Sequence, residues 1–64
     1  MDAGREETKE FTPDEAVVFG AQLDDLGRLE EAETIFRTVL RLEPEHFHAL
    51  QRLGVVLAKK QEFY

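Results

Sequence analysis

The sequence predicts an all-α fold, three helices at about 13–26, 29–42 and 46–60 in an antiparallel helix–turn–helix array. Three observations predict it. Apolar and small side chains recur at the spacing of a helical face, first at Ala16, Phe19, Gly20 and Leu23, then at Leu29, Ala32, Ile35, Phe36, Val39 and Leu40. The pattern breaks at Gly27 and closes at Pro44. It then returns after 34 residues: Gly54 answers Gly20, Leu57 answers Leu23, Leu53 answers Phe19 and Leu50 answers Ala16. Such a period, carried on helix–turn–helix units, has a direct structural meaning.

Taken in order, residues 1–11 (MDAGREETKEF) are polar, charged and without periodicity, and read as a flexible acidic leader. Thr12, Pro13 and Glu15 make a helix start: Thr12 caps, Pro13 suits a first position that needs no N–H partner, and Glu15 completes a capping box. Phe11, just before the cap, is placed to staple onto the first turn. Gly20 in mid-helix costs about 1 kcal/mol relative to alanine. Close approach of the second helix at Ala32 is the expected offset. Gly27 ends the first helix in a left-handed conformation open to glycine. Asp24 and Asp25 oppose the helix dipole at that end and read as a solvated loop flank.

In the second helix, Glu30, Glu31 and Glu33 come early and Arg37 and Arg41 late, an order that complements the macrodipole. Glu33 and Arg37 form an i,i+4 pair worth a few tenths of a kcal/mol. Pro44 pushes Glu43 out of the α region and stops the helix. The third helix carries one stripe of Phe47, Leu50, Leu53, Gly54 and Leu57, widened by Val55, Val56 and Ala58. Val55 faces away from the main stripe. A turn expected at Gln61, with Phe63 answering Leu29, would open the next helix.

Phe19, Gly20, Leu23, Gly27, Ala32, Phe36 and Pro44, followed by Leu53, Gly54 and Leu57, resemble the tetratricopeptide (TPR) repeat. The likeness covers about 12–64, with one full repeat at 13–46 and a partial second at 47–64. It departs from the family at Ala16 and Leu50, where Trp is frequent, at Leu23 and Leu57, where Tyr is frequent, and at Val39, where Ala is frequent. All keep an apolar or small character. The resemblance implies an array of about one and a half repeats.

Composition narrows the function. In 64 residues there is room for one small domain. A chain of that length buries only about 60% of the surface its unfolded form exposes. With no cysteine, neither a disulfide nor a thiolate metal site is available. A net charge of −6 argues against a nucleic-acid partner. The charge is uneven: residues 1–33 carry eleven acids and three bases, residues 34–64 three acids and five bases. No apolar run approaches the ~18 residues of a membrane span, and residues 1–10 hold no secretory hydrophobic stretch. A cytoplasmic protein without membrane association is expected.

Nothing points to an enzyme. Serine, cysteine and asparagine are absent, which excludes Ser- and Cys-based triads. The glycines at 4, 20, 27 and 54 do not make a phosphate loop. His46 and His48, two residues apart at a helix start, point in different directions, whereas helical metal pairs sit at i,i+4. The Glu30–Glu31–Glu33 and Asp24–Asp25 clusters lack the alternating ligands of a calcium loop. No cofactor is expected.

Protein binding remains. TPR proteins line a concave groove with their first helices, and the resemblance assigns Asp14, Val17, Ala21, Asp24, His48, Gln51, Arg52, Val55 and Ala58 to it. A carboxylate clamp of the kind some members carry finds only His48 and Arg52 here. A mixed groove suited to an extended or helical segment of a protein or peptide is expected instead. Two alternatives stand beside it. One is a self-assembling unit, a homo-oligomer stacking its acidic front on its basic rear. The other is a non-catalytic segment of a larger protein, because residues 44–57 resemble TPR arrays attached to bacterial glycosyltransferases.

Overall fold

The computed structural model describes residues 12–63, with Phe63 described by its backbone alone. The acidic leader at 1–11, the staple expected of Phe11, and Tyr64 lie outside the described residues. Three α-helices follow one another: α1 (Pro13–Asp25), α2 (Leu29–Leu42) and α3 (Phe47–Phe63). Among the described residues there is no strand. The fold is all-α, a helical hairpin extended by a third helix. α2 packs extensively on both neighbours, while α1 and α3 meet along a narrower seam.

The boundaries follow from local chemistry. Thr12 is extended and its Oγ1 accepts the Glu15 N–H at 3.1 Å, while Glu15 Oε1 accepts the Thr12 N–H at 3.0 Å. This reciprocal capping box satisfies donors that the first turn leaves unpaired. At the other end Gly27 adopts a φ of 82°. The Arg28 N–H donates to the Leu23 carbonyl and the Gly27 N–H to the Asp24 carbonyl, both at 2.9 Å, as in a Schellman motif. α2 closes where the Glu43 N–H donates to the Val39 carbonyl at 2.8 Å, one residue before Pro44. The first residues of α1 and α3, Pro13 and Phe47, stand one 34-residue period apart. α3 has no such stop. Gln61, where the period leads one to expect a turn, is a good helix former in place of glycine, and the helix runs on to Phe63. Residues 61–63 therefore belong to α3 and do not begin another helix.

The core comprises Val17 and Leu23 from α1, Leu29, Ala32, Phe36 and Val39 from α2, and Ala49 and Val56 from α3. α2 thus supplies half of it, and Phe36, Val39 and Val56 are its largest fully buried side chains. Gly20 is buried against α2, but the group above it is not Ala32. A Cβ there would come within 2.6 Å of Phe36 Cε1 and 3.2 Å of Ile35 Cγ2. The absent side chain makes room for an aromatic ring. Ala32 is itself fully buried in the core.

α3 differs from the expectation more than α1 or α2 does. Its buried residues are Ala49 and Val56, with Leu53 partly buried beside them. Phe47, Leu50, Gly54 and Leu57, read above as the main stripe, are exposed, Phe47 by 65% and Leu50 by 50%. The most apolar face of α3 is turned away from α2.

A charge in the small core should be decisive. A core of this size supplies about 3–5 kcal/mol, and burying a valine contributes about 1.5–3 kcal/mol of such a total. Val56→Asp should therefore abolish helical circular dichroism at room temperature, while Val55→Asp, one residue along and exposed, should retain it.

Candidate functional site

The nine groove residues divide into two sets. On α1, Asp14, Val17, Ala21 and Asp24 recur every three or four residues and so share one face. That face is the seam with α3. Val17 belongs to the core, Ala21 is half-buried, and Asp24 is only 4% exposed. Asp14 is exposed, and its Oδ1 lies 2.8 Å from His46 Nε2. On α3, His48, Gln51, Arg52, Val55 and Ala58 are all exposed and lie along one side of the helix. A shallow depression there is lined by Val55, Ala58, Lys59, Gln61 and Glu62. The first set joins helices; the second is open to solvent.

Asp24 is the principal correction. Rather than flanking a solvated loop, its carboxylate is buried and accepts a hydrogen bond from Lys59 Nζ at 2.8 Å. The next residue, Lys60, reaches to the other side of α3 and donates to Glu33 Oε1 of α2 at 2.6 Å. Consecutive lysines point about 100° apart on a helix, so this pair ties α3 to α1 and to α2 at once. Glu33 also accepts from Arg37 Nε at 2.8 Å on Oε2, the i,i+4 pair expected from the sequence. Hydrogen bonds from Lys60 and then Arg37 hold the Glu33 carboxyl below its ordinary value of 4.5. Because the folded state favours the ionised form, this contribution is present above 4.5 and is lost as pH falls through the lower, folded-state value.

His46 works at the opposite end of the seam. Its Nδ1 accepts the Ala49 N–H at 3.2 Å and so caps the first turn of α3, while Nε2 meets Asp14. Both contacts agree with a neutral ring protonated at Nε2. His46 and His48 rings stand 6.2 Å apart at 61° to one another. Among the described residues no group of three or more His, Asp or Glu side chains converges as a metal set would.

Lys59, Lys60 and the Asp14–His46 contact escaped the sequence reading. The partners are separated by 35, 27 and 32 residues along the chain, so no local spacing reveals them. The available signal was two adjacent lysines on a third helix, opposite an acidic first half.

The chain matches no family model, no curated protein and no solved structure. Among the described residues no helix is long and apolar enough to cross a membrane.

Asp24 is buried while Lys59 remains 40% exposed. Removing the lysine therefore leaves a carboxylate that water reaches only in part and costs less than the ~3–5 kcal/mol of a fully buried pair, whereas replacing both by apolar groups is often neutral. Lys59→Met should lower the urea midpoint, and adding Asp24→Leu should restore most of the loss. Equal midpoints for the parent chain and Lys59→Met would show that the pair contributes nothing.

Proposed function

We propose that this chain is a TPR-type protein-interaction module, of about one and a half repeats and without catalysis, that binds a peptide or helical segment of a partner protein. The observation that carries the reading is the open face of α3, where His48, Gln51, Arg52 and Val55 stand exposed in register. Val55 is 46% exposed at its centre, an apolar contact rimmed by a cation and two hydrogen-bonding side chains. An apolar centre within a polar rim is the general anatomy of a protein-recognition surface. Asp14, Val17, Ala21 and Asp24 support that surface by fixing the angle between α1 and α3. Of these, Asp14 and Ala21 retain accessible surface at the edge of the groove.

Further support comes from the 34-residue correspondence of α1 and α3 and from the residues that resemble the repeat family. Arg52, exposed on that face, offers a cation to an acidic side chain of the bound segment. A cytoplasmic setting without a cofactor or a nucleic acid accords with this reading.

The test is selection of binding peptides from a displayed library of random sequence, followed by NMR shift mapping. Selected peptides should perturb His48, Gln51, Arg52 and Val55, and Val55→Asp should weaken them about tenfold or more while helicity is kept. Peptides whose shifts centre on Leu50 and Leu57, or binding indifferent to Val55→Asp, would contradict the proposal.

A further inference from the structure

α3 carries a second surface, separate from the one just described. Phe47, Leu50, Gly54, Leu57 and Gln61 recur every three or four residues, all exposed and all uncharged. A shallow groove along them is lined by Gly54, Leu57, Ala58, Lys60 and Gln61. One period earlier, at Pro13, Ala16, Gly20 and Leu23, the corresponding residues of α1 are buried or half-buried, covered by α2. The contrast is sharpest at the paired glycines. A Cβ on Gly20 would meet the Phe36 ring at 2.6 Å, while a Cβ on Gly54 would find nothing within 4 Å. α1 has its covering helix; the same face of α3 is bare.

We infer that a second copy of this chain covers that face, α3 packing antiparallel on α3 of its partner about a two-fold axis beside Gly54. The order of side chains makes the stripe complementary to itself. With Leu53 set opposite Gly54 of the other copy, Leu50 falls opposite Leu57, and each pairing recurs across the axis. The partly buried Leu53 then leans into the space that Gly54 leaves open, the arrangement that Phe36 makes on Gly20 within one chain. Bulk meets a gap at the centre and leucine meets leucine on either side. A symmetric interface requires this kind of self-complementarity.

Charge favours the same occupant. The stripe offers no ionic group that a foreign partner could read. The nearest lysine heads are turned inward, Lys59 to Asp24 and Lys60 to Glu33, while Arg41 and Arg37, the latter paired with Glu33, border Leu53 on the α2 side. Antiparallel helices also oppose their dipoles favourably. Residues 1–11 are unsuited to the role, because their apolar side chains are only Met1, Ala3 and Phe11, among four acids. A domain of this size commonly gains stability by oligomerising.

Sedimentation equilibrium from micromolar to millimolar concentration tests the inference on the full chain. The mass should rise from 7.4 kDa toward twice that value. Leu57→Glu and, separately, Gly54→Lys should each weaken association about a hundredfold or more with helicity unchanged, since both sites are exposed in the monomer. Because the chain has no cysteine, an oxidised mixture of Leu50→Cys and Leu57→Cys should form mixed disulfides in preference to like pairs. A mass of 7.4 kDa at every concentration would overturn the inference, including where an added amphipathic helix binds this face of the monomer. So would a dimer that survives both substitutions, or one in which Leu50→Cys couples chiefly to itself.

Discussion

The Phe36 ring seated on Gly20 is the contact on which the rest of the packing depends. Without a side chain at Gly20, α1 and α2 approach closely enough for the ring to be wholly enclosed. That enclosure brings Leu23, Leu29, Ala32 and Val39 into one cluster around it, and the cluster offers α3 a surface for Ala49 and Val56. Interiors at this density do not deform gradually. The position of α3 therefore inherits the geometry set at the first interface, although α3 touches neither end of the Gly20 contact in sequence.

Polar groups then fix what apolar packing leaves adjustable. Burial of Ala49 and Val56 alone would let α3 slide or roll on α2. Lys59 and Lys60 prevent this by reaching in different directions, one to a buried carboxylate of α1 and the other to α2. At the far end His46 holds the first turn of α3 and the start of α1 together. Held at both ends, α3 presents three faces with different chemistry: one in the core, one mixed and exposed around Val55, one apolar and exposed around Gly54. Lys59 and Lys60, which stitch the seam, also border the two exposed faces.

What was legible in the sequence was local. The capping box at Thr12, the left-handed Gly27, the Glu33–Arg37 pair and the three helices each depend on residues within one or two turns, and each is found where spacing puts it. Periodicity also showed that α3 has an apolar stripe, but not which neighbour would cover it. The face turned to the core is the less apolar one, built on Ala49 and Val56 with Leu53 at its edge. Asp24 was misread for a similar reason: a carboxylate at a helix end looks solvated until a lysine 35 residues away arrives. The turn expected at Gln61 failed because the period matched positions while the residue that makes the turn, glycine, was not repeated. Of the groove residues, those on α3 are exposed, while Val17 and Asp24 lie in a seam whose depth only the third dimension sets.

Two glycines equivalent in sequence, Gly20 and Gly54, are opposite in structure, one filled and one open. Urea unfolding of Gly20→Ala and Gly54→Ala in dilute solution, where the chain is monomeric, tests this contrast most directly. Alanine gains about 1 kcal/mol over glycine within a helix, and forcing a methyl into a packed core costs about 1–3 kcal/mol before any such gain. Gly54→Ala should therefore stabilise the chain by close to the full propensity gain, and Gly20→Ala should lower the midpoint. If both substitutions stabilise equally, the Phe36 ring does not rest on Gly20 and the packing described here is wrong.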